Sequence, residues 1–186
     1  MRSPFALRRV TFYAADMTNR DTVVLEIPLA DPAATDALGR TIAAVLMPGT
    51  TVLLEGQLGA GKTALARAII RARQTAAGEK AEEVPSPSYT LVQTYRAGAD
   101  EIWHADLYRL SGAGDLEEIG LDAAPEGALR LIEWPDRLPP DAVRGALRIA
   151  LVPEGTGRRA RIEIPAHHAA LAAALRHPLR PDPAHG

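Results

Sequence analysis

The chain has 186 residues, no cysteine, a net charge of −2, and 47% hydrophobic against 24% charged residues. These proportions predict one soluble, core-forming domain and exclude general disorder, a disulfide framework, thiolate metal sites and a cysteine nucleophile. No apolar run reaches the ~18 residues a bilayer span needs and no secretory leader is evident, so the expected location is cytoplasmic with no membrane partner; the near-neutral charge argues against tight direct binding of RNA.

Residues 1–20 carry Arg2, Arg8, Arg9 and Arg20 around a short apolar stretch and read as an extension, either frayed or added as an edge strand. The main domain is expected over 21–166, and a short helix with a tail over 167–186. A β-branched run over 22–27 predicts a strand that stops at Pro28. Asp31 followed by Pro32 is an N-cap with proline at the first helical position, and Ala34, Ala37, Leu38, Ile42, Val45 and Leu46 recur at three- and four-residue steps up to Pro48-Gly49. That pattern predicts a helix with one face packed on a sheet. Residues 50–55, with Val52, Leu53 and Leu54 in sequence, read as a strand buried on both faces.

A glycine-rich turn follows, then a helix over 63–73 with Leu65, Ile69 and Ala72 on one stripe. Residues 74–87 read as a long loop holding Gly78, Pro85 and Pro87. Strands are expected over 89–95 and 101–108, joined at Gly98 as a hairpin. A helical turn over 115–121, strands over 129–133, 147–152 and 161–164, and an Ala-rich helix over 166–176 complete the series. There is no internal repeat.

Gly56-Gln57-Leu58-Gly59-Ala60-Gly61-Lys62-Thr63 matches G-x-x-x-x-G-K-[ST], the phosphate-binding loop. From this composition the pattern arises by chance on the order of once in a thousand sequences, before the flanking strand and helix are required. Each residue type has a reason. Glycines permit close backbone approach, so the amides of Leu58, Gly59, Ala60, Gly61, Lys62 and Thr63 can converge on phosphate oxygens at the positive end of the next helix. Lys62 would reach the β and γ phosphates and the Thr63 hydroxyl would ligate Mg²⁺. ATP and Mg²⁺ are the expected cofactors, adenine by elimination, since no N-K-x-D guanine-reading tetrapeptide occurs. The order strand, loop, helix predicts an α/β P-loop NTPase, three-layered, with a mixed, mostly parallel sheet flanked by helices.

Such a site needs a carboxylate at the end of a neighbouring strand. Asp106, closing Ile102-Trp103-His104-Ala105-Asp106, and Glu133, closing Leu129-Arg130-Leu131-Ile132-Glu133, both qualify. His104 shares a strand face with Asp106 but reads first as a structural histidine. Leu110-Ser111-Gly112-Ala113-Gly114 resembles a transporter-ATPase signature only faintly, follows Asp106 where that signature precedes its acid, and reads as a plain turn.

Taken together, the phosphate loop, Ser86-Pro87-Ser88-Tyr89-Thr90-Leu91-Val92, His104-Ala105-Asp106-Leu107-Tyr108-Arg109-Leu110, Glu118-Ile119-Gly120-Leu121 and Ile132-Glu133-Trp134-Pro135 resemble the TsaE family, small P-loop ATPases needed to make threonylcarbamoyladenosine in tRNA. The resemblance covers about 23–164. It implies that Lys62 and Thr63 bind ATP phosphate and Mg²⁺, that Glu133 is the second protein ligand to Mg²⁺, and that Asp106 is an acid required for hydrolysis. It further implies that Thr35 lies near the nucleotide and that Ser86, Ser88, Tyr89 and Thr90 form a switch beside the γ-phosphate. The implied partners are the TsaD and TsaB proteins, with tRNA reached only indirectly. Ser88 stands where threonine is commoner and Ala105 replaces a bulkier residue. From size and phosphate loop alone, a small-molecule kinase or a nucleotide-binding scaffold are the rival readings.

Overall fold

In the computed structural model, which describes residues 22–110, 120–177 and 179, seven strands form one mixed sheet. They are β1 (Thr22–Leu29), β2 (Thr51–Glu55), β3 (Val92–Ala97), β4 (Asp100–Asp106), β5 (Leu129–Glu133), β6 (Leu147–Glu154) and β7 (Gly157–Pro165), in the order β1-β7-β6-β2-β5-β4-β3. The central β6, β2, β5 and β4 run parallel, while β3, β7 and β1 pair antiparallel at the flanks. The mixed, mostly parallel α/β sheet with flanking helices is thus as expected, its parallel centre bordered by antiparallel pairings. Val52, Leu53 and Leu54 are fully buried, as a strand covered on both faces requires.

Helix α1 (Pro32–Val45) starts where Asp31 accepts a 2.8 Å hydrogen bond from the Ala34 amide with Pro32 at the first position, and it stops as Leu46 turns extended. Helix α2 (Lys62–Ala76) and helix α3 (Ala169–Leu175) share its side of the sheet. Leu38 and Ile42 of α1 and Leu65 and Ile69 of α2 are fully buried, each contributing about 1.5–3 kcal/mol relative to exposure. The opposite face is covered, among the described residues, by loops and 3₁₀ turns whose Leu107, Leu110, Leu121, Leu138 and Val143 pack on Leu53, Ala105 and Ile132. No helix among the described residues is long and apolar enough to cross a membrane.

The structure corrects several boundaries. β1 continues through Pro28 to Leu29, because among the described residues β1 is the edge of the sheet, where strands tolerate proline. Residues 74–76 belong to α2, where buried Gln74 exchanges hydrogen bonds with Glu82. Tyr89, Thr90 and Leu91 form a turn and bend rather than the start of β3, with Leu91 in the left-handed region at φ 63°. The expected 166–176 helix opens as a 3₁₀ turn over Ala166–His168 before α3. The extension over 1–20, most of the 115–121 turn, all but Leu110 of the turn at 110–114, and the end of the 167–186 helix and tail after 177, except Leu179, lie outside the described residues.

The α1–α2 contact is close because Gly39 has no side chain: a Cβ there would lie 2.4 Å from the Ala68 Cβ and 3.1 Å from the Ala68 carbonyl carbon. Alanine would gain ~1 kcal/mol in helix propensity but would force two helix backbones apart, which costs about 1–3 kcal/mol. Overpacking should win. Gly39→Ala is expected to lower stability by about 1–2 kcal/mol in urea unfolding; a neutral or stabilised variant would show that the helices can part freely.

Candidate functional site

The parallel centre of the sheet brings the C-terminal ends of β2, β5 and β4 to one edge, and the register aligns Leu54 with Glu133 and Glu133 with Asp106. The loop from Gly56 to Gly61 leaves β2 at that edge. Gly56 adopts φ 136°, and a Cβ on it would stand 2.5 Å from the Leu151 carbonyl, so only glycine fits where the loop turns off the strand. Gly61, at φ 103°, precedes Lys62 at the start of α2 and offers no side-chain cap. The first amides of α2 therefore have no side-chain acceptor, the arrangement that favours an anion.

Lys62 is only 4% exposed. Its ammonium donates to the carbonyls of Gly56 at 2.8 Å and Gln57 at 3.0 Å and lies 3.9 Å from the centroid of the Trp134 ring. Burial pulls its pKa below the ordinary lysine value, opposed by the charges of Glu133 and Asp106. The Thr63 hydroxyl donates to the Glu133 carboxylate, 2.8 Å from Oε1 and 3.1 Å from Oε2. Cis ligands of an octahedral Mg²⁺ bound at 2.0–2.1 Å stand about 2.9 Å apart. These two oxygen groups already have that spacing, so they fit the ion the sequence implies. Among the described residues no group of three or more His, Cys, Asp or Glu could hold a metal.

Asp106 is buried, and its Oδ1 accepts from the Tyr108 amide at 3.0 Å. Burial pushes its pKa above the usual carboxylate range and Glu133 adds to that; the Tyr108 hydrogen bond, Lys62 and His104 act the other way. His104 is fully buried, with Nε2 2.9 Å from Glu133 Oε1 and no hydrogen-bond partner at Nδ1. A carboxylate only accepts, so Nε2 carries the proton, and His104 donates to Oε1, the same Glu133 oxygen that lies nearest the Thr63 hydroxyl. The histidine is thus more than packing, a role that sequence pattern missed although its two-residue offset from Asp106 was the available signal.

Trp134 was visible in sequence as the residue after Glu133. Its role was not: at φ 59° it turns the chain out of β5, with its amide on the Leu54 carbonyl and its ring on both Lys62 and Tyr108. A non-glycine residue held left-handed stores about 1–3 kcal/mol of strain, a cost that clusters at functional sites. The segment expected to act as a switch lies beside the acids. The Asp106 amide donates to the Leu91 carbonyl, Arg109 reaches the Ser88 carbonyl, and its guanidinium lies 5.4 Å from the Tyr89 ring centroid. Ser86 donates to Ser88, and Thr90 is exposed in the same turn. Thr35 is buried at the start of α1 with its hydroxyl on the Asp31 carbonyl, and none of its hydrogen bonds reaches the phosphate loop. Leu58, at the tip of the loop, is 75% exposed.

The family model described as threonylcarbamoyl adenosine biosynthesis protein TsaE matches residues 29–161, a span holding the loop, both acids and the strand order that joins them. The chain belongs to the TsaE family. It is 42% identical over 100 residues to the tRNA threonylcarbamoyladenosine biosynthesis protein TsaE of Rickettsia bellii, covering 54% of this chain and 67% of that one. To the Synechocystis TsaE it is 37% identical over 120 residues, covering 62% and 73%. The match to the Rickettsia conorii TsaE, at 43% identity, covers 54% of this chain and 55% of that protein, so some relatives are matched over little more than half their length. The crystal structure of the Bacillus protein YdiB superposes with a TM-score of 0.63 at 25% identity, covering 83% of this chain and 95% of that one. The TsaE family serves threonylcarbamoyladenosine biosynthesis in tRNA, and this chain shares its fold.

The buried acid has a cost that can be measured without nucleotide or Mg²⁺. Because the folded chain holds Asp106 above its ordinary pKa, it binds a proton that the unfolded chain releases between that ordinary value, about 3.9, and the raised one. Stability therefore falls as pH rises through that window, and the deficit persists at neutral pH. Asp106→Asn keeps an acceptor for the Tyr108 amide and removes the charge. It is expected to unfold at higher urea than the parent at pH 7, with the gain vanishing below about pH 4; equal midpoints at pH 7 would contradict the burial argument.

Proposed function

We propose that this chain is a Mg²⁺-dependent ATPase that serves threonylcarbamoyladenosine formation in tRNA through nucleotide-governed association with the TsaD and TsaB proteins. The observation that carries the reading is the convergence at one sheet edge of the phosphate loop, the buried Lys62 and the two carboxylates Asp106 and Glu133.

In this reading the backbone amides from Leu58 to Thr63 bind the β and γ phosphates, and Lys62 exchanges the Gly56 and Gln57 carbonyls for phosphate oxygens. Thr63 and Glu133 would hold Mg²⁺, which when bound neutralises charge on the phosphates. His104 and Thr63 both donate to the Glu133 carboxylate and fix its position. Asp106 has Oδ1 occupied by the Tyr108 amide, which leaves Oδ2 to accept a proton from the attacking water. Its raised pKa suits it to that task better than an exposed carboxylate.

Two features support a partner-docking role. Leu58, Tyr89 and Tyr108 are 75%, 88% and 47% exposed, and their places in the phosphate loop, in the turn beside Asp106 and against Trp134 put apolar surface around the mouth of the site. Large exposed side chains so grouped suit a protein partner. A turn that touches both Asp106 and Arg109 could pass the state of the phosphates to that surface. The charge balance of −2 favours reaching tRNA through partners.

Lys62→Ala is expected to weaken ATP binding by at least ~10-fold. Asp106→Ala should retain ATP affinity within about three-fold and lose at least ~100-fold in turnover. Calorimetry and phosphate release check both, and pull-down on purified TsaD and TsaB with ATP, ADP or neither checks the partner. Full turnover in Asp106→Ala would remove that acid from the chemistry. ATP consumption matched to an added small-molecule acceptor, with no response to TsaD and TsaB, would replace the ATPase by a kinase.

A further inference from the structure

The β6–β7 hairpin sends one arginine to the phosphate loop. Gly157 begins β7 so close to the end of β1 that a Cβ would stand 2.5 Å from the Leu29 carbonyl. From there Ala160, Ile162 and Ile164 turn into the core shared with α1 and α2, and the two-residue period puts Arg158 on that same face. Because β7 runs antiparallel to β6, and β6 parallel to β2, the start of β7 lies at the sheet edge where the loop leaves β2. Arg158 Nη1 donates to the Ala60 carbonyl at 3.2 Å. A Cβ on Gly61 would come within 1.7 Å of the same nitrogen and 2.9 Å of Cζ. Glycine at 61 is thus required twice, by its φ of 103° and by the guanidinium packed against it.

Its neighbours are partnered differently. Arg159 pairs with Glu26 and Glu154, and Arg161 pairs with Glu163, both on the other face of β7. Among the described residues Arg158 has no carboxylate partner; its hydrogen bond goes to a loop carbonyl. A charged residue at the one position of a strand's apolar parity that abuts an anion-binding loop has a consequence through the peptide plane. The Ala60 C=O and the Gly61 N–H belong to one trans peptide and point in opposite directions. Holding that carbonyl toward β7 fixes the Gly61 amide to face away from β7, into the concavity of the loop.

We propose that Arg158 is a positioning residue for the nucleotide: it braces the phosphate loop from outside, orienting the Gly61 amide for the phosphates that ATP and ADP share. The inference rests on the proposed nucleotide-binding reading of the loop. It differs from that reading in placing part of the binding determinant about 100 residues away from the motif, in a different supersecondary unit.

The test measures ATP and ADP dissociation constants by calorimetry for the parent chain, Arg158→Met and Arg158→Lys, with urea unfolding of each. Methionine keeps the apolar stem and loses the donor; lysine keeps one donor that can reach the carbonyl. The expected result is that Arg158→Met weakens ATP and ADP alike, by about 10-fold, that Arg158→Lys recovers part of the loss, and that all three unfold at similar urea concentrations. Parent-level affinity in Arg158→Met overturns the proposal, as does a loss confined to ATP, which would mean direct contact with the terminal phosphate. Equal losses in both variants together with lowered unfolding midpoints also overturn it, since they report general damage to the hairpin. A parent chain that binds neither nucleotide instead removes the phosphate-loop reading itself.

Discussion

Three ionisable groups, Lys62, Asp106 and Glu133, are buried together at the C-terminal edge of the parallel strands, and the rest of the site exists to make that tolerable. A buried charge without partners costs several kcal/mol. Here the ammonium is satisfied by two loop carbonyls and an aromatic face. One carboxylate is satisfied by a hydroxyl and an imidazole, the other by a backbone amide. Lys62 and Asp106 are nonetheless displaced from their ordinary pKa values in the directions burial dictates. A site that leaves its charges half-compensated is suited to a ligand that brings charge of its own.

The arrangement depends on strand order more than on any single contact. β5 lies between β2 and β4, so the ends of three parallel strands deliver Thr63, Glu133 and Asp106 to adjacent places although the residues are far apart in the chain. The left-handed turn at Trp134 then lays its indole on Lys62 instead of continuing β5. Pro135, next in sequence, cannot extend the strand ladder, which removes the competing conformation.

What the sequence made legible follows from how local the physics is. The phosphate loop could be read because backbone amides can converge only where side chains are absent, and that leaves a pattern within eight residues. The two acids could be read because each closes a short apolar strand. The N-cap at Asp31 and the hairpin at Gly98 were local too, and both are present. Pro28 misled because a proline's cost depends on whether its strand is an edge, which only the assembled sheet decides. Tyr89 to Leu91 misled because their β-forming side chains are overruled by the turn that the Leu91 N–H closes on the Pro87 carbonyl, with Leu91 itself held left-handed. The His104–Glu133 bond and the Arg158–Ala60 bond were illegible in pattern alone, since each joins residues from separate strands or loops. Only the parity of Arg158 with Ala160, Ile162 and Ile164 marked it as unusual.

The two long-range bonds to the loop region divide its support. Thr63 to Glu133 ties the start of α2 to the parallel centre, and Arg158 to Ala60 ties the preceding turn to the antiparallel border. The first bond joins two oxygen groups that also suit a shared cation, so occupation of the site would alter it directly. The second uses the Ala60 carbonyl, held toward β7, and under the proposed function it would not have to break for a phosphate to bind. In the proposed function, a loop anchored outside and adjustable inside would keep its amides aligned while Lys62 and Thr63 change partners, and one cradle would then serve both a triphosphate and a diphosphate.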